Sequence, residues 1–320
     1  MNYKITNLDK NVNNILKIDD SLMKYNQERN QYSFWEKFNS VFKHPFKFSI
    51  MELVLSGFLL GFFILSYFLM KITGLNNLFT TEIFFCIIFG MILGPFKGSF
   101  IAFLADTLSL LISGLIGTWF WLYAIWPPII AFISSLYFTF FKATKYAKII
   151  VPFIVIISAI TVMIVIYSQN VYQTTDGKIG INLQKYNAKK DKKINIPEFA
   201  TIIGMVIYLA LALMSTITIS IFYLKNKSPK LLDYLLILSI TTFVIVFYRW
   251  IFGPIVYIKY MNYLQNKNWT ISDKYAVFAI PIVVKSMITL PVYVIILTSI
   301  YPVINILKDK HVNQLNQISY

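Results

Sequence analysis

Three ionisable side chains stand deep inside stretches that are otherwise apolar: Asp106, Arg249 and Lys285. A charge at mid-bilayer costs about 3 kcal/mol on insertion scales, so such residues usually face a cavity or a partner. Arg249 and Lys285 together would receive an anionic ligand. Asp106 would hydrogen-bond a polar edge of that ligand or orient a helix. Each has a structural reading beside the functional one. Arg249 can snorkel to the membrane surface next to Trp250, and Asp106 can be satisfied by Thr107, Ser109 or neighbouring backbone. A second set of residues is aromatic: the run from Ser113 to Tyr123 carries Gly114, Gly117, Trp119 and Trp121, and Trp126 follows closely. Indole faces on a glycine-loosened loop can stack on a ring system. An aromatic belt at the membrane surface has the same composition.

Other chemistries are excluded by what is absent. Cys86 is the one cysteine, which leaves no internal disulfide and no Cys-x-x-Cys metal or redox centre. His44 and His311 both fall outside the apolar stretches, so there is no HExxH zinc site. The nearest look-alike to a nucleotide-binding GxxxxGK[ST] loop, Gly94-Pro95-Phe96-Lys97-Gly98-Ser99, has the wrong spacing. No set of paired carboxylates or histidines supplies a nucleophile, base and acid together. The expectation is a chain that is not an enzyme and carries no metal or cofactor of its own.

The elements that must position these residues follow from composition. Of 320 residues, 57% are hydrophobic and 13% charged, with a mean hydropathy of +0.64. A soluble domain carries roughly 25% charged residues. An all-α polytopic membrane protein follows. Eight segments are apolar enough to cross a bilayer at about 20 residues per helix: 48–70, 80–94, 97–114, 121–141, 148–168, 197–224, 231–257 and 276–306. The second and third meet at the tight turn Gly94-Pro95-Phe96-Lys97-Gly98, and Trp126-Pro127-Pro128 should start or kink the next helix. Gly57 and Gly61 form a GxxxG pair with Ser56 alongside, a pattern that lets another helix approach closely.

The basic excess, 29 Lys+Arg against 14 Asp+Glu, reads as orientation rather than nucleic-acid binding. With the N-terminus cytoplasmic, 17 basic residues fall inside and 10 outside. The C-terminus is then cytoplasmic too, and the basic loop 169–196 is the dissenter. Residues 1–47 are polar, lack a secretory signal and should remain in the mature protein. Near their end Trp35, Phe38, Phe42 and Phe46 recur beside Lys37, Lys43 and Lys47, which suits a helix lying in the membrane interface.

The stretch Phe89-Gly90 through Gly94-Pro95-Phe96-Lys97-Gly98 to Asp106 resembles the substrate-binding S component of energy-coupling factor (ECF) vitamin transporters, in its "FG…GP..G……D" junction. The folate-type branch is the most similar, since an aromatic, glycine-containing loop precedes helix four there too. Ile280-Pro281 through Lys285 to Pro291 is similar to that branch's last helix, although Val292-Tyr293 stands where an acidic residue often follows the proline. The resemblance implies a six-helix bundle, and so divides this chain into a tail 1–47, a membrane core 48–147 and 225–307, an inserted helical pair 148–224 carrying the basic loop, and a cytoplasmic tail 308–320. It implies capture of a ring-bearing, anionic, folate-like vitamin near the outer face of the cell membrane. Trp119, Trp121 and Trp126 would cover the ring, Arg249 and Lys285 would meet carboxylates, and Asp106 would bond the ring or orient a helix. Gly57 and Gly61 would face a transmembrane coupling subunit, and two cytoplasmic ATPase subunits would supply the energy. The alternatives are an ATP-independent secondary transporter and a membrane-embedded lipid-modifying enzyme.

Overall fold

A computed structural model describes residues 46–77, 79–143, 147–168, 171–173, 179–181, 198–226 and 229–307. The interfacial helix expected around Trp35, Phe38 and Phe42, most of the basic loop 169–196 and the tail 308–320 lie outside the described residues. The chain is an all-α, multi-pass membrane protein. A helix occupies each of the predicted segments, and six described helices are long and apolar enough to cross a membrane. One small antiparallel pairing, β1 (Val171–Gln173) with β2 (Ile179–Ile181), lies within the loop 169–196.

Helix α1 (Ile50–Ile72) opens on a capping box. The Ser49 hydroxyl accepts the Glu52 amide at 3.2 Å, and the Glu52 carboxylate accepts the Ser49 amide at 2.8 Å. The same carboxylate receives Lys97 Nζ at 2.7 Å on both oxygens, and the ammonium lies 5.6 Å from the centre of the Phe48 ring. This buried pair ties the start of α1 to the first turn of α3 (Pro95–Ile112).

Helix α2 (Thr81–Leu93) is only 13 residues long, about 20 Å, against roughly 30 Å of hydrocarbon. It is buried on every side from Ile83 to Leu93, as a helix apolar all round must be. Two glycines let its neighbours approach. A Cβ on Gly90 would collide with the Ala131 carbonyl, and one on Gly98 would come within 2.6 Å of the Phe89 carbonyl. Gly94 turns the chain between α2 and α3 at φ 89°, a left-handed conformation that favours glycine, and Pro95 then begins α3, where its missing amide costs nothing.

A single-turn helix α4 (Trp121–Ala124) leads into α5 (Trp126–Ala143), whose prolines fall in its first turn, so they start the helix rather than kink it. Helices α6 (Ala147–Ser168) and α7 (Glu198–Asn226) follow. Ile156, Ala159, Met163 and Ile166 of α6 belong to the same apolar core as α2. Next, α8 (Pro229–Val244), a π-helical segment (Ile245–Phe252) and α9 (Gly253–Gln265) run on as one apolar span. Helix α10 (Ile271–Leu307) closes the bundle. Its internal prolines Pro281, Pro291 and Pro302 are all on the exposed side.

Candidate functional site

The start of α2 is held from a distance. Thr80 precedes the helix without capping it through its own side chain. Tyr293, buried on α10, does that work: its hydroxyl accepts the Thr80 amide at 2.8 Å and donates to the Thr80 carbonyl at 2.9 Å. This fixes the first turn of α2, where Glu82 sits. Glu82 is wrapped by protein yet partly accessible.

Two charges on other elements act on it: Asp106 from α3 and Arg249 from the π segment. Tyr248 lies within electrostatic reach of Glu82, Tyr123, Arg249 and Asp106. Tyr123 reaches Glu82, Tyr257 and Tyr260. The cluster therefore gathers residues from α2, α3, α4, the π segment and α9 at one end of the bundle. The Gly94-Pro95 turn lies at the opposite end. Among the described residues no salt bridge joins Arg249 to either carboxylate. The hydroxyls expected to satisfy Asp106 are committed elsewhere: Thr107 donates to the Phe103 carbonyl at 3.0 Å, and Ser109 to the Asp106 carbonyl at 2.8 Å. The Asp106 carboxylate thus receives neither hydroxyl.

The π segment explains how Arg249 reaches the interior. A π-helical stretch carries a wider turn than an α-helix and shifts side chains around the axis, and such stretches concentrate at functional sites. The Gly253 amide bonds back to the Tyr248 carbonyl, five residues earlier. In an α-helix the Trp250 carbonyl would pair with the amide of residue 254, but Pro254 has none. Tyr275 of α10 replaces it, donating to the Trp250 carbonyl at 2.9 Å. Beyond α9 the chain turns on Asn266 and Asn268, both at positive φ. Asn262 pins that turn by pairing its side-chain amide with both backbone groups of Trp269 at 2.9 Å.

Aromatic rings wall the cluster. Trp126 lies 4.6 Å from Phe252, 5.2 Å from Tyr248 and 6.1 Å from Phe247 between ring centres. Phe120 is buried and packs on Tyr263 at 5.2 Å and Tyr260 at 5.8 Å, and Tyr123 meets Tyr260 at 5.2 Å. Two donors beside this wall, Trp126 Nε1 and Arg249 Nη1, are buried without a hydrogen-bond partner. Leaving such a donor unpaired costs about 1–3 kcal/mol, more when it is charged.

The residues singled out from sequence therefore separate. Asp106, Trp126 and Arg249 come together. Trp119 and Trp121 are 40% and 60% exposed, as an interfacial belt would be, and Phe120 between them turns inward instead. Lys285 is exposed on α10, on the same side as Pro281 and Ile288 and away from buried Val283 and Ser286. Gly57 and Gly61 are exposed on α1, and a Cβ on either would meet nothing within 4 Å. Sequence reasoning missed Glu82 and Tyr248. The one available signal was an acidic residue two places into a short, wholly apolar segment.

No family model matches the chain, and no solved structure matches it. A similar protein is "Uncharacterized protein MG313" of Mycoplasma genitalium, 27% identical over 286 residues, which cover 83% of this chain and 93% of that one. The likeness runs through most of this chain and nearly the whole of that protein.

Proposed function

We propose that the chain is the substrate-binding component of an ECF-type vitamin transporter, capturing a ring-bearing, folate-like solute and delivering it with ATP hydrolysed by partner subunits. The observation that carries this reading is the Glu82–Asp106–Arg249 cluster, walled by Trp126, Tyr248 and Phe252 at one end of an apolar bundle. Charges held inside a membrane protein mark a substrate or ion path, and flat rings beside them suit a flat ligand. Arg249 receives the ligand's acidic group, Trp126 and Tyr248 flank its ring, and the two carboxylates take its N–H edge. Lys285 lies on the exposed face and is left out of this set. The N-terminus is cytoplasmic, the membrane is the cell membrane, and the site opens outward. The lack of a nucleotide loop fits a chain whose energy comes from a transmembrane coupling subunit and two ATPases.

Affinity purification from the native membrane tests this directly. A coupling subunit and two ATPases should come down with the chain, and their absence from a membrane that expresses them overturns the reading. A second reading, an ATP-independent secondary transporter, is favoured by two intramembrane carboxylates, Glu82 and Asp106, within electrostatic reach of each other, the composition of a proton relay. Proteoliposomes holding this chain alone separate the two. A pH gradient should drive no uptake in the first case and should drive it in the second.

A further inference from the structure

We infer that the cluster binds a bipolar solute: its cationic or N–H donor group sits with Glu82 and Asp106, and its carboxylate or other acceptor group reaches Arg249 Nη1 and Trp126 Nε1. This rests on reading the cluster as a ligand site. It reverses the expectation of a purely anionic ligand held by two cations, because one of those cations, Lys285, faces outward.

Unmet bonds at both ends of the cluster carry the argument. On the acceptor side stand two carboxylates, and the hydroxyls nearest Asp106 are spent on backbone carbonyls. On the donor side, Arg249 Nη1 and the indole Nε1 of Trp126, a residue 6% exposed, are buried and unpaired. Among the described residues Arg249 closes on neither carboxylate, so the two sides do not satisfy each other. A solute carrying only an acid would bring no donor to the Glu82 and Asp106 oxygens. A solute carrying only a cation would leave both buried donors unpaired and set like charges together. A solute with both groups satisfies every one of them. Tyr248 is within electrostatic reach of all three charges and is packed on Trp126, so aromatic faces lie beside both kinds of group. A flat scaffold bearing the two groups is the shape that fits. A ligand cation would gain further from the Trp126 and Tyr248 ring faces.

The test uses the purified full-length chain in lipid nanodiscs and two matched series, read by calorimetric titration. The indole series is L-tryptophan (both groups), tryptamine (cation only) and indole-3-propionate (acid only). The pteridine series is pterin-6-carboxylate (both), pterin (donor edge only) and 1-naphthoate as the acid-only ring. In at least one series the bipolar member should bind at least tenfold more tightly than either single-ended partner. Arg249→Gln should abolish its advantage over the donor-only member, and Arg249→Lys should keep it. Glu82→Gln with Asp106→Asn should abolish its advantage over the acid-only member. Thermal melting of each variant confirms that it is folded. Failure of the bipolar member to exceed both single-ended partners in either series, where binding is seen, overturns the inference while leaving a ligand site in place. Absence of binding in both series overturns the inference, and the purification of partner subunits then judges the transporter reading separately.

Discussion

Glu52 and Lys97 show how a charge can be held inside this bundle without a ligand. The carboxylate caps its own helix and receives an ammonium on both oxygens, so every strong bond is made within the chain. Removing one partner leaves the other buried and uncompensated, which costs about 3–5 kcal/mol. Lys97→Met should therefore lower the midpoint of thermal unfolding sharply, and the double replacement Glu52→Gln with Lys97→Met should recover part of the loss. Equal melting of single and double variants would show the pair to be uncoupled. Glu82, Asp106 and Arg249 differ because their bonds are unmade, and that difference could not be read from sequence. Both glutamates stand in the first turn of an apolar helix, where an acidic residue is ordinary. What separates them is whether a lysine on another helix comes within reach. The direction of Lys285 was not legible either: the polar residues beside it on α10, Ser286 and Thr289, are buried while Lys285 is exposed, so they mark no common face.

Elements were more legible than sites. Each apolar segment carries a helix, because a bilayer obliges the backbone to bond within itself, although the segment expected at 231–257 runs on to Gln265 and the one expected at 121–141 breaks after Ala124. The Gly-Pro-x-x-Gly junction was visible too, and its reason is steric: Gly90 and Gly98 permit backbone contacts that a side chain would block. Gly90→Ala should thus destabilise the protein by about 1–3 kcal/mol, the usual cost of overpacking, whereas Gly57→Ala, with open space around it, should leave the melting midpoint unchanged. The π segment was not legible. Its local sequence Ile245–Phe252 fits an ordinary helix, and the deviation depends on Pro254 removing an amide and Tyr275 supplying a hydroxyl from α10. Tyr275→Phe leaves the Trp250 carbonyl without that donor and should cost about 1 kcal/mol. Because the same bond steadies the segment that carries Arg249, the variant should also weaken ligand binding several-fold. An unchanged affinity would mean that the π geometry is kept by neighbouring side chains alone.

At the scale of the whole molecule, two faces of the bundle differ in what they leave open. The charged cluster looks into the interior at one end. Gly57 and Gly61 look outward from α1, flanked by exposed Phe58 and Phe62. Lipid tails offer helices no hydrophobic reason to associate, so close backbone approach at small residues is one of the few forces that can join two membrane proteins. If the chain works with a coupling subunit, this face is where a partner helix fits. The two roles can then be separated by substitution. Gly57→Leu with Gly61→Leu adds bulk only into open space, so the protein should melt as before and bind its ligand with unchanged affinity. Recovery of the coupling subunit and ATPases in affinity purification should nevertheless fall at least tenfold, and ATP-dependent uptake should fall with it. Retention of the partners in that variant would move the contact to another face of the bundle. A loss of ligand affinity alongside the loss of partners would instead mean that α1 and the cluster are mechanically linked, through the Glu52–Lys97 pair that joins α1 to the helix carrying Asp106.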